Sequence, residues 1–190
     1  MVRTRDLILV EALKLFSEKG IKETTIRDIA RAVGITEGAI YRHFHSKDQI
    51  VYELFEKYSA ELYEIMEESL KEKTSDEMRF RTMIEAFLNF AFNNPDAFRY
   101  MNIFHYLREK QVRRVKKLPF NLLSKVIGDL EEKGILKIEP EYALAMVTGT
   151  LERVFLYRSM GIIKGRKKVI AKKTAQLLWN SLIEYNGGKN

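Results

Sequence analysis

The sequence predicts an all-α fold of about nine helices, and three observations carry that expectation. Apolar residues recur at i, i+3, i+4 and i+7 along most of the chain, the spacing of one helix face. Only 10 glycines and 3 prolines occur in 190 residues, and β-branched runs are few. Several of those glycines and prolines stand between the periodic segments, next to hydroxyl residues suited to capping helix ends.

The first segment, about Arg3 to Lys19, carries Leu9, Ala12, Leu13 and Phe16 on one face, and Gly20 closes it. Thr24 to Ile50, TTIRDIARAVGITEGAIYRHFHSKDQI, reads as two short helices joined by a tight turn, then the start of a third. Thr25 is a hydroxyl N-cap with Asp28 at the capping-box position. Ile26, Ile29, Ala30 and Val33 form an apolar stripe, and Gly34 ends the helix where the backbone turns left-handed. Thr36 caps the next helix, in which Ala39, Ile40, Tyr41 and Phe44 follow over about two turns. Ser46 caps the third, with Gln49 as its match and Lys47 in the first turn. A helix, a glycine-containing turn and a short helix outline a helix-turn-helix DNA reader. The first helix should pack across this pair, because two short helices bury too little by themselves.

The third helix of that stretch is expected to run from Lys47 to about Lys73 and to link the head to a body. Helices are then expected over Asp76 to Asn93, from Pro95 through Tyr106, and over Pro119 to Lys133, Pro140 to Met160 and Arg166 to Tyr185. The basic run Arg108 to Lys117 reads as a helix end and loop, and Asn186 to Asn190 as a frayed tail.

The formal net charge of +7 and pI of about 9.4 suit a polyanionic partner without naming one. The absence of cysteine excludes disulfides, thiolate metal sites and cysteine nucleophiles. No apolar run approaches the ~18 residues of a membrane span. Asp6 and Glu11 interrupt the amino-terminal apolar stretch, so it does not read as a signal peptide, and a cytoplasmic location is expected. No phosphate-binding glycine loop, nucleophile elbow or zinc-protease motif occurs, which argues against an enzyme and against any cofactor. His43 and His45 are two residues apart and diverge on a helix, so no metal site is expected.

The stretch from Ile8 to Lys47 resembles the TetR family of bacterial transcriptional regulators. The resemblance rests on Ile8, Leu9, Ala12, Leu13, Leu15, Phe16 and Gly20, then Ile29-Ala30, Val33-Gly34-Ile35, Tyr41, His43-Phe44 and Lys47. It implies a three-helix DNA-binding head, residues 1–47, on a ligand-binding and dimerisation body, residues 48–190. It also implies a homodimeric repressor of palindromic double-stranded DNA, released by a small apolar or aromatic effector. The alternative is a DNA-binding protein without an effector, controlled by a protein partner.

A recognition helix needs small residues at its tip, and Gly38 and Ala39 supply them. Tyr41 and His43 carry polar atoms on rigid rings, and Arg42 can pair with guanine or phosphate. Lys47 is expected to clamp a phosphate at the positive end of its helix. Thr25 and Arg27 begin the helix that should cross the DNA backbone. The resemblance maps DNA contacts onto these residues together with Thr36 and Glu37. Glu37 either accepts from cytosine N4 or faces solvent, and Tyr41 either contacts DNA or sits half in the core.

In the body, Met146, Val147, Thr150, Leu151 and Val154 are expected to meet Ile170, Thr174, Leu177, Leu178 and Leu182 across a dimer. Gly149 would let helices approach closely. The alternative is that these faces pack inside one copy. The basic stretch Lys164 to Lys173 reads as solvated. By the same resemblance, Phe87, Met101, Phe104, His105, Phe120 and Phe155 are expected to line an effector pocket.

Overall fold

The computed structural model describes residues 3–71, 75–107, 112 and 115–184, with the backbone alone for 105–107. Among these residues it contains nine helices: α1 (Thr4–Lys19), α2 (Ile26–Val33), α3 (Glu37–Tyr41), α4 (Lys47–Leu70), α5 (Asp76–Asn93), α6 (Pro95–Leu107), α7 (Pro119–Glu132), α8 (Pro140–Ser159) and α9 (Lys167–Leu182). The one strand-like feature among them is an isolated antiparallel bridge between Leu136 and Ile183. The fold is all-α, and most helix ends fall within a few residues of those expected from caps, glycines and prolines. Most of the basic run Arg108–Lys117, and the tail Asn186–Asn190, lie outside the described residues.

The chain divides into two compact units, Met1–Glu61 with Asn94–Lys117, and Leu62–Asn93 with Leu118–Asn190. Helix α4 begins in the first and ends in the second. The expected division after residue 47 therefore falls inside the first unit. The reason is that α1 packs on α6 as well as on α2. Its residues Ile8, Ala12 and Phe16 have no exposed surface. The Phe16 ring stacks on Tyr100 of α6 at 5.8 Å, and Phe104, one turn on, stacks on Phe55 of α4 at 4.0 Å. Tyr100 is fully buried, and its hydroxyl donates to the Val51 carbonyl of α4. That bond satisfies a polar atom which burial would otherwise penalise.

In the second unit α5 and α9 lie against one another. Helix α5 buries Phe80, Met83, Ile84, Leu88, Phe90, Ala91 and Phe92, so apolar residues surround most of its circumference. A helix apolar on so many sides belongs at the centre of its unit. The Phe80 ring meets Trp179 of α9 at 5.7 Å. Arg79 pairs with Asp129 at 3.1 Å and Lys133 with Asp76 at 2.6 Å, joining α5 to α7 and its end. These partly exposed pairs contribute about 0–1 kcal/mol each, so apolar burial does more to hold the unit together.

Tyr100→Phe is expected to cost about 1 kcal/mol through loss of one buried hydrogen bond, and Phe16→Ala about 3–5 kcal/mol through the cavity it leaves. Urea denaturation of the two variants checks both values.

Candidate nucleic-acid interface

Helix α2 starts in a complete capping box. Thr25 Oγ1 accepts from the Asp28 amide at 3.1 Å, and Asp28 Oδ2 accepts from the Thr25 amide at 2.9 Å and the Thr25 hydroxyl at 2.8 Å. The Thr25 amide, then its hydroxyl, hold the Asp28 carboxyl below its ordinary value, with smaller help from Lys19 and Arg31. Ile29 and Ala30 are buried, while Arg27 and Arg31 face outward. Gly34 adopts φ 77°, and the Ile35 amide reaches back to the Ala30 carbonyl at 3.0 Å. This left-handed closure is the one glycine makes without a Cβ penalty.

Helix α3 follows at once. The Ala39 amide donates to Thr36 Oγ1 at 3.2 Å. The helix is shorter than the two turns expected, ending at Tyr41. The Ile40 carbonyl accepts from both His43, at 2.9 Å, and Phe44, at 3.0 Å, which tightens the last turn and places Arg42 and His43 in it. Ile40 is 0% exposed and Phe44 1%. The Arg5 guanidinium of α1 covers the Phe44 ring at 4.8 Å and also pairs with Glu53 of α4 at 2.6 Å.

With Ile40 and Phe44 facing in, the rest of the segment faces out. Thr36, Glu37, Gly38, Arg42 and His43 are exposed, Ala39 is half-buried, and Tyr41 keeps 51% of its surface. Thr25 and Arg27 are exposed at the start of α2, with the Thr25 hydroxyl engaged in the cap. A Cβ added at Gly38 would meet only Thr36 Oγ1, at 3.9 Å. Nothing inside the protein therefore requires glycine there.

Lys47 is placed differently from a clamp. Its Nζ donates to the carbonyls of Ile21 at 2.8 Å, Thr24 at 2.9 Å and Lys22 at 3.4 Å. Beside it, Ser46 Oγ accepts from the Gln49 amide at 3.1 Å, whereas Gln49 Oε1 accepts from His45, one residue before the expected partner, at 2.7 Å.

The residues expected at an effector pocket divide between the units. Met101 and Phe104 are buried in the first, where Phe104 is engaged with Phe55 and Tyr100. In the second, Phe155 is buried, Phe87 is half-buried and Phe120 is 48% exposed. The His105 side chain lies outside the described ones.

The residues expected at a dimer face divide as well. Val147, Leu151, Ile170, Thr174, Leu178 and Leu182 are buried within the chain, and Thr150 and Val154 are half-buried. Only Met146 and Leu177 of that set are exposed. Helix α8 carries two apolar stripes. Ala143, Val147, Leu151 and Phe155 face the core, while Tyr142, Met146, Leu156, Tyr157 and Met160 face out, joined by Val169 and Leu177 of α9. The outward stripe also follows helical spacing. The inner one is the more continuous in sequence, which is why the expected partner surface falls mostly on it.

Residues 8–54 match the bacterial regulatory proteins of the tetR family. The chain belongs to the TetR family. It is 39% identical over 71 residues to the HTH-type transcriptional repressor KstR2 of Mycolicibacterium smegmatis, spanning 37% of this chain and 35% of that protein. The chain thus covers about a third of the length of that relative. A longer match, 25% identical over 154 residues, joins 76% of it to 78% of the fatty acid metabolism regulator protein of Bacillus subtilis. Its fold is similar to that of the TetR family transcriptional regulator PfmR of Thermus thermophilus. There the TM-score is 0.75 with 25% identity, over 93% of this chain and 99% of that one. The TetR-family match covers α2 and α3 whole, so the capping box and the left-handed Gly34 both lie within it.

The lowered Asp28 carboxyl gives the TetR-family head a pH signature. A group held below its ordinary value stabilises the fold fully above the ordinary carboxylate range and loses that contribution as pH falls through the lowered folded value. Asp28→Asn should therefore melt at a lower temperature than the parent at neutral pH. The two melting curves should converge in acid, as thermal denaturation followed by circular dichroism would record.

Proposed function

We propose that the chain is a DNA-binding transcriptional regulator that acts as a homodimer on a two-fold-related operator. The observation that carries this reading is the outward set Thr36, Glu37, Gly38, Tyr41, Arg42 and His43, presented by a helix whose other side is anchored by Ile40 and Phe44. Gly38 supports it, since a glycine that its own fold does not need suits close approach of a duplex. Arg27 and Arg42 bring exposed positive charge, and Thr25 stands beside Arg27. Repression rather than activation follows the name of KstR2, a transcriptional repressor.

Homodimerisation is supported by the outward apolar stripe of α8 and α9, made of Tyr142, Met146, Leu156, Tyr157, Met160, Val169 and Leu177. A contiguous apolar patch of this kind marks an interaction site. Gly149 lies on the same exposed face, and a Cβ there would meet nothing within 4 Å. Glycine within a helix costs about 1 kcal/mol relative to alanine, and a partner helix approaching closely would offset that. Val147, Leu151, Ile170, Thr174, Leu178 and Leu182 then support the face from beneath, with Thr150 and Val154 at its edge. Release by a small apolar effector is the mode of regulation the family suggests, and a relative named for fatty acid metabolism is consistent with it.

Selection from random duplex DNA should return paired half-sites about one helical turn apart. Arg42→Ala should lose about 1–3 kcal/mol on the selected site if Arg42 reads a base edge. Leu177→Glu should convert a dimer to a monomer in sedimentation and remove tight operator binding while leaving the helical content unchanged. A selection that returns no preferred sequence would overturn the regulatory reading.

A further inference from the structure

The connection from α1 to α2 is held by its own polar atoms. Gly20 turns it at φ 92°, and Thr24, which is 0% exposed, donates from its hydroxyl to the Gly20 carbonyl at 2.8 Å. Three further carbonyls of this turn, those of Ile21, Lys22 and Thr24, converge on one point, and the Lys47 ammonium occupies it. An ammonium has three hydrogens and no acceptor, so three carbonyls match its capacity. A phosphate could take this cation only if those carbonyls gave it up, and two of them belong to buried residues, Ile21 and Thr24. Lys47 opens α4, and Thr25 and Arg27 follow the turn it grips.

We propose that Lys47 is a positioning residue. It acts on DNA binding by tying the α1–α2 turn, and so the start of α2, to the first residue of α4, and it makes no phosphate contact of its own. The proposal rests on the DNA-binding reading above.

Three variants are compared on a selected operator across a salt series, with amide exchange at Gly20 and Thr25 followed in the DNA-free protein. Lys47→Met keeps the alkyl stem and removes the donors. It should weaken binding roughly tenfold, as loss of hydrogen bonds to a charged group implies, and retain the parent's salt slope. Exchange at Gly20 and Thr25 should accelerate. Lys47→Arg keeps the charge but holds its donors in a rigid plane, so it should not restore slow exchange. Arg42→Ala is the comparison for an outward cation. A salt slope that falls by about 0.9 in Lys47→Met, the mark of one lost phosphate contact, would overturn the proposal. Unchanged exchange in that variant, or full rescue of affinity by Lys47→Arg, would overturn it too. If the parent binds no DNA at all, the regulatory reading fails, and the exchange measurement still decides whether Lys47 holds the turn.

Discussion

A helix of five residues closes too few internal hydrogen bonds to persist in water, so α3 depends on what lies beneath it. Ile40 and Phe44 supply that support. Both are buried, and the Ile40 carbonyl ties the end of the helix to Phe44 through two amides. Once those two side chains are docked, the direction of every other side chain in the segment follows from the helical period. Arg42 and His43 then project outward because the tightened turn leaves them no inward position. The candidate interface is thus the complement of a small core.

The positive charges of the head have two distinct uses. Arg5 covers Phe44 and pairs with Glu53, and Lys47 fills a nest of carbonyls. Both bind parts of the protein to one another. Arg27 and Arg42 stand exposed on the side where DNA is proposed to bind. The net charge of +7 contains no hint of that division, because it counts cations without regard to their partners.

Helix α8 has an inner stripe fixed by contacts within its own unit and an outer stripe with exposed aromatic and aliphatic residues. Both have helical spacing, so periodicity alone could not rank them. The inner stripe reads more strongly in sequence because its members are uninterrupted by charge, whereas Arg153 and the bare Gly149 break the outer one. The same limit applied to the aromatic residues of the body. Phe104 and Phe120 look alike in sequence, yet one is stacked on Phe55 and the other is 48% exposed.

By itself the sequence determined the helical class, most helix limits, the capping box at Thr25 and Asp28, the left-handed turn at Gly34 and the outward identity of the recognition segment. Each depends on a few neighbouring residues, whose backbone preferences and hydrogen bonds act over one or two turns. Only the tertiary structure decided that Lys47 faces a turn 26 residues earlier, that α6 shares a unit with α1, and which stripe of α8 is covered. Those outcomes depend on which distant surfaces meet. Residue type and spacing are the same for a buried cation and a free one, or for a covered stripe and an open one.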